Sequence, residues 1–237
     1  MIASIHVSDV GFRSVVRELR RTPDPASTPG LRYAVKVISA PLGGGLFAPP
    51  DPGRVGMIAF WDDDAALSRY LGDDPATGWH VRLDPVQIHG YHATRGSEGA
   101  DTWPGWPGLP SETRPDPGGP SVVLTLARTR VSQTPRFLRA SAWAAKPLAS
   151  APGFVWGSAL ARPPIVATCS LWESAASLEA YAYGRQEDGH RRAMDADRTK
   201  AFHHEGVFIR FHPYHSAGHL EGRNPLDAAW LSTQAAS

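Results

Sequence analysis

Ten histidines and a single cysteine are the side chains of this sequence best suited to metal or acid–base chemistry, and some of the histidines recur at suggestive spacings. His-x-Tyr-His occurs twice, as His89 to His92 in "IHGYHATRG" and as His212 to His215 in "FHPYHSAG". Two imidazoles three positions apart could hold one metal ion. On a strand, however, such positions point to opposite faces, so Gly90 or Pro213 would have to turn the chain. A third ligand would still be needed, and packing at equivalent strand ends is the favoured reading. His190 stands in "GRQEDGHRRAMDADRTKAFHHEG", where helical spacing sets His190, Met194, Asp197 and Ala201 on one face. A neutral imidazole there is a good ligand for a transition metal; a solvated helix histidine among Asp188, Arg191 and Arg192 is the alternative. His203 and His204 close the same stretch, where a histidine pair also suits the negative end of a helix dipole. Cys169 lies mid-strand in an apolar run and reads as a small core residue.

These residues sit within a larger self-similarity. "WDDDAALSRYL" from Trp61 and "WESAASLEAYA" from Trp172 share the Trp, an adjacent acid, Ala65/Ala176, Leu67/Leu178 and Tyr70/Tyr181 at an offset of 111 residues. Leu and Tyr three apart fall on one helical face, and acids behind the Trp suit a helix N-terminus. The flanks match in kind. "IASIHVSDV" and "SVVLTLART" read as strands, and the stretches from Phe12 and Phe137 read as helices. Pro-Gly opens a second strand at Pro29 and at Pro152, "VGMIAFW" and "IVATCSLW" run into the Trp, and a fourth strand ends in each histidine motif. Each half is therefore expected to be α+β, a ferredoxin-like β-α-β-β-α-β unit. The expected domains are residues 1–92, a Pro/Gly-rich linker over 93–120, and 121–237 with an extra helix over about 185–204 and a C-terminal tail. One sheet face of each unit needs a cover beyond its helices, so the two fused repeats are expected to close on each other as an intramolecular dimeric-α/β-barrel-type fold, with a ligand cavity between the sheets.

The halves differ most in two places. Tyr181 to His212 spans 31 residues where Tyr70 to His89 spans 19, which makes the His190 segment an addition to the scaffold. Pro41 to Arg54, "PLGGGLFAPPDPGR", is longer in the first half and reads as a long hairpin connection, with a rim loop or lid as the alternative. It is no phosphate-binding loop, since neither Lys-Ser/Thr nor a helical pattern follows the glycines.

Net charge is +1 without a concentrated basic block, which argues against nucleic acid as a partner. No apolar run reaches the roughly 18 residues of a membrane-spanning helix, and the first residues lack the basic and apolar regions of a signal peptide. With one cysteine no intrachain disulfide can form. A cytoplasmic location is the expectation.

In the second half, "ATCSLWESAASLEAYAYG", then "GHRRAM", then "FIRFHPYHSAGHLEGRNPL" resembles the spheroidene monooxygenase family over roughly Ser121 to Leu226. The resemblance implies a dimeric-α/β-barrel-type fold, haem as cofactor, and an oxidoreductase that oxygenates a hydrophobic small molecule, a carotenoid or another secondary metabolite, with electrons from an external donor. It also places a family histidine at His190, the expected haem-iron ligand, with His203 and His204 as runners-up. Arg128, Arg162 and Arg185 are candidate partners for the propionates. Aromatic residues present in one half only, Trp143, Phe154, Trp156 and Phe208, are the candidate substrate pocket. Other readings are a cofactor-free oxygenase of the antibiotic-biosynthesis type, a dehydratase- or peroxidase-like haem barrel, and a non-catalytic binding barrel. A homodimer through a further surface is compatible with all of them.

Overall fold

The computed structural model of the chain describes residues 1–42, 53–72, 78–89, 115–145, 147–183, 195–196 and 199–227. Apolar residues at every second position create its strands. In β1 (Ile2–Asp9) Ala3, Ile5 and Val7 turn inward, and in β5 (Ser121–Thr129) Val122, Leu124 and Leu126 do so. A short 3-10 turn at Phe12–Ser14 leads into α1 (Val15–Arg20), followed by β2 (Leu31–Pro41), β3 (Arg54–Trp61), α2 (Asp64–Leu71) and β4 (Trp79–His89). After β5 come a 3-10 turn at Val131–Gln133, α3 (Thr134–Ala145), β6 (Phe154–Arg162), β7 (Ile165–Trp172), α4 (Ala175–Tyr183) and β8 (His203–Gly218).

All eight strands form one closed antiparallel barrel in the order β1-β3-β2-β6-β7-β5-β8-β4. Closure therefore happens within one chain. Two seams join first-half to second-half strands. One is short, Ile38–Pro41 of β2 against Ser158–Ala161 of β6, and holds a buried Ser39–Ser158 hydroxyl pair at 2.7 Å. The other is long and pairs β4 with the last eleven residues of β8.

An eight-stranded barrel is just wide enough for its inward side chains to fill. Ile5, Val37, Ile58, Leu83, Leu124 and Ile209 are fully buried there and belong to one cluster. These side chains pack the centre of the barrel among the described residues, and the outer faces, where the helices lie, offer the other place for a ligand.

The second histidine motif does not end its strand. β8 runs on to Gly218, and Tyr214 donates from its hydroxyl to Asp64 of α2 at 2.7 Å. Arg82 of β4 donates to the other oxygen of the same carboxylate, also at 2.7 Å. This copy of the motif clasps second-half strand to first-half helix. In the first copy His89 closes β4, while Gly90 to His92 lie outside the described residues. Trp61 and Trp172 are buried and hold Tyr70 and Tyr181 at ring separations of 5.0 and 5.1 Å, as scaffold residues.

α2 starts at Asp63, whose side chain accepts from the Ala66 amide at 2.8 Å and so satisfies one of the helix's free N–H groups. Asp63→Ala is expected to lower stability by about 1 kcal/mol, read as a shift of the urea midpoint at constant slope. Of the expected linker, only residues 115–120 are described, and the helix expected over 185–204 lies mostly outside the described residues. No helix among the described residues is long and apolar enough to cross a membrane.

Candidate functional site

The outer face of an antiparallel barrel is open to water wherever no helix covers it. Thr125, in the middle of β5 and hence between β7 and β8, is exposed. Register places it in a row that crosses five strands: Ala159 of β6, Thr168 of β7, Thr125, Phe208 of β8 and His89 of β4. One neighbouring row is Ala161, Val166, Ala127 and Gly206; the other is Gly157, Ser170, Val123, Arg210 and Gln87. Alternation along each strand turns these side chains away from the packed interior. Ala159, Thr168 and Phe208 are all partly exposed.

Two helices bound this floor. α4 lies over the Trp172 end, where Leu178 joins Trp172 and Val123 in a small core flanked by Phe154 and Tyr181. α3 lies over the start of β8: its Phe137 ring meets His203 at 5.0 Å and Phe202 at 6.1 Å. Arg136 of α3 lies over the Phe202 ring at 5.1 Å and donates to the Ala196 carbonyl at 3.1 Å. Thr125 and its row lie in the gap between the two helices.

The register-equivalent positions of the first half are filled. Trp61 pairs with Ile2 as Trp172 pairs with Ser121, which sets His6 opposite Thr125 in the comparison, Met57 opposite Thr168, Lys36 opposite Ala159 and His80 opposite Phe208. Lys36 reaches Glu18 of α1 at 3.1 Å, and Met57 receives the Tyr70 hydroxyl at 3.8 Å. His6 stacks on His80 with centroids 5.4 Å apart, and His80 lies 6.1 Å from His215. Three large side chains on this face thus become Ala, Thr and Thr on the other. Among the described residues the result is an apolar floor with hydroxyls between two helices.

Electrostatics separate the faces as well. Burial, then the charges of His80, Lys36 and Arg82, push His6 down from 6.5 to about 3. Ser4 Oγ accepts from the Trp61 indole and is hydrogen-bonded to His6 Nε2 at 2.9 Å, and the depressed His6 ring is neutral near pH 7. His80 is only 6% exposed and is also pushed down, by burial first and then by His215 and Arg82; neither of its ring nitrogens has a hydrogen-bond partner among the described residues. On the open face the charged group is Arg210, whose Nε donates to Gln87 Oε1 at 3.3 Å and whose Nη1 pairs with Asp116. In the core, burial pushes the Cys169 thiol up to about 12, which makes it inert.

The residues singled out from sequence are not gathered in one place. Phe208 lies in the floor and Phe154 borders it against Trp172 at 5.5 Å. Trp156 packs with the barrel interior, 5.0 Å from Trp79. Trp143 belongs to α3, with its side chain outside the described residues. Arg128 is held by Glu205, which is 4% exposed, through two bonds of 2.7 and 2.5 Å. Arg162 donates to the Leu19 carbonyl and to Thr22 at the end of α1. His203 packs under α3 and His204 is exposed at the start of β8. Arg185 and His190 lie outside the described residues. Sequence reading passed over Thr125, Thr168, Ala159 and Arg210. The signal for them is a size difference between halves, which only the strand registers bring into line.

A flat apolar group edged by carboxylates, such as haem, suits this floor: small side chains leave room for a ring system, Phe208 and Val166 offer apolar contact, and Arg210 stands at one edge.

The chain is 30% identical over 201 residues to a protein described as spheroidene monooxygenase from Rubrivivax gelatinosus, an alignment covering 82% of this chain and 73% of that protein. No family model matches the chain. Among solved structures it is similar to an aldoxime dehydratase in complex with butyraldoxime (11% identity, 95% of this chain and 84% of that one, TM-score 0.53). It is also similar to an anthrone oxidase-like protein (15% identity, 94% of both chains, TM-score 0.36). The dehydratase likeness supports the barrel fold.

Proposed function

Because the chain belongs to the spheroidene monooxygenase family, an oxidoreductase family, we propose that it is a haem-dependent monooxygenase acting on a hydrophobic small molecule, of carotenoid or other secondary-metabolite class. The carrying observation is the exposed Thr125 in the middle of an inner strand, over a floor of Ala159, Thr168 and Phe208 and between α3 and α4. Haem would supply dioxygen activation at its iron, with electrons from a separate donor. The chain's own residues do the rest. Ala159, Thr168 and Thr125 give a flat group room, while Phe208 and Val166 contact apolar surface and keep water from it. His190 is the proposed iron ligand, favoured by its helical spacing and by its place in a segment longer in this half; His203 and His204 follow.

We also infer that the halves are copies of one ferredoxin-like unit, divided over residues 93–120. This reading is supported by the matched order of strands and helices and by the paired Trp–Tyr contacts. One copy kept a filled outer face, and the other opened it.

The test is expression with haem in excess. A Soret band near about 400 nm is expected in the purified parent. His190→Ala is expected to lose the band or change its spin state with circular dichroism unchanged. Loss instead in His203→Ala or His204→Ala reassigns the ligand, and a parent that takes up no haem overturns the haem reading in favour of cofactor-free oxygenation.

A further inference from the structure

Arg82 and Arg210 are equivalent by register: Arg82 pairs with Ser4 as Arg210 pairs with Val123. Arg82 is neutralised by Asp64, a carboxylate of the helix that covers its own half, and is also bonded to Ser68. In the second half Ala175 stands in Asp64's place, and Glu179, in Ser68's place, is exposed. Arg210 takes its partner from elsewhere, from Asp116 in the segment that precedes β5.

The surroundings of this pair are those of a binding position. Arg210 is 12% exposed, whereas Asp116 is 33% exposed and lies outside any helix or strand. Burial pushes the Asp116 carboxyl up, but the Gly118 amide, Arg210 and His212 together hold it below its ordinary value, so it is ionised. His212 Nδ1 is buried without a hydrogen-bond partner among the described residues. Along β8, Arg210 is two residues from Phe208 on the same face, hence roughly 7 Å from the floor. One end of an apolar floor thus carries a mostly buried guanidinium whose partner carboxylate comes from an irregular, part-exposed segment. A guanidinium fork binds any well-placed carboxylate through two bonds.

We propose that Arg210 is the carboxylate anchor of the open face, and that Asp116 occupies it until a ligand's own carboxylate takes its place. The ligand class is an apolar body with a terminal carboxylate. On the function proposed above, on which this inference rests, that carboxylate is a haem propionate; an acidic substrate would offer the same group.

Soret titration of the parent, Arg210→Gln and Asp116→Asn with haem and with haem dimethyl ester tests it. Arg210→Gln is expected to weaken haem binding at least about tenfold. Asp116→Asn is expected to tighten it about threefold, because the internal competitor is gone. The diester is expected to bind all three proteins alike. Asp116→Asn keeps the test available should Arg210→Gln fail to fold. Equal haem affinity in parent and Arg210→Gln, weaker binding in Asp116→Asn, or the same losses with the diester overturn the anchor. A parent that takes up no haem defeats the haem reading separately. The anchor is then judged on hexadecanoate against hexadecanol by thermal shift. A rise in Tm with the acid alone, lost in Arg210→Gln, keeps it as a substrate site; any other pattern overturns it.

Discussion

Thr125→Trp is expected to lower haem affinity at least about a hundredfold, equivalent to about 2.7 kcal/mol, while moving Tm by no more than about 2 °C. The two halves of this expectation have separate origins. Thr125 is exposed, so the larger ring creates no clash with the folded chain, and an aromatic residue is at home in a strand. The ring would nonetheless stand in the centre of the gap between α3 and α4, where the proposed ligand lies. Val131→Trp, at a residue 80% exposed in the turn before α3, serves as the control and is expected to bind as the parent does. A Thr125→Trp protein with the parent's affinity would show that the ligand does not use this face.

Sequence reading found the scaffold readily because its signals are local. Alternation in β1 and β5, the acids after Trp61, and Leu three residues before Tyr are patterns within a few positions, and the structure uses them for strand faces, the start of α2 and helix packing; at α4 it is Ser174, not Glu173, that accepts from a first-turn amide. The Trp–Tyr pair at a fixed offset is what suggested a repeat, and both pairs are in ring contact in the structure. The open face was hidden for a geometric reason. Equivalent strands are separated by different distances in sequence: Ile2 and Ser121 by 119 residues, Leu31 and Phe154 by 123, Trp61 and Trp172 by 111. No single alignment offset therefore sets Lys36 beside Ala159 and His6 beside Thr125 together. Irregular pairing at Leu31/Tyr33 and at Phe154/Trp156 shifts the register further. Taken singly, Ala159, Thr125 and Thr168 are unremarkable strand residues, and only their lateral row gives them meaning. The same effect misled the reading of the second histidine motif. His-Pro-Tyr-His looks like a strand end because proline donates no ladder bond, yet β8 continues because the pairing slips at Leu83/Pro213 and resumes at Arg82/His215.

The filled face makes an expectation of its own, that the fold is acid-labile through His6. In the native chain His6 is held near 3, by burial first and then by His80, Lys36 and Arg82, whereas in the unfolded chain it titrates near 6.5. A group depressed on folding contributes stability that is fully present above its unfolded value and is lost as pH falls through the window between the two. Below pH 6.5 the unfolded chain takes up a proton that the native chain refuses, and stability falls with a slope approaching about 1.4 kcal/mol per pH unit. At pH 4.5 the loss amounts to about 3 kcal/mol from this residue. His80 adds to it in the same direction, since burial, His215 and Arg82 depress it too. The faces packed around the pair offer no escape: Lys36 is already bound to Glu18 and Arg82 to Asp64, so neither carboxylate is free to receive a protonated imidazole. Urea unfolding of the parent and of His6→Gln between pH 7 and 4 reads the effect. The parent's midpoint is expected to fall steeply through this range, and the variant's to fall with a slope smaller by close to one proton. Superimposable pH profiles would mean that His6 is protonated in the native chain after all, and that the stacked histidines are no barrier to charge.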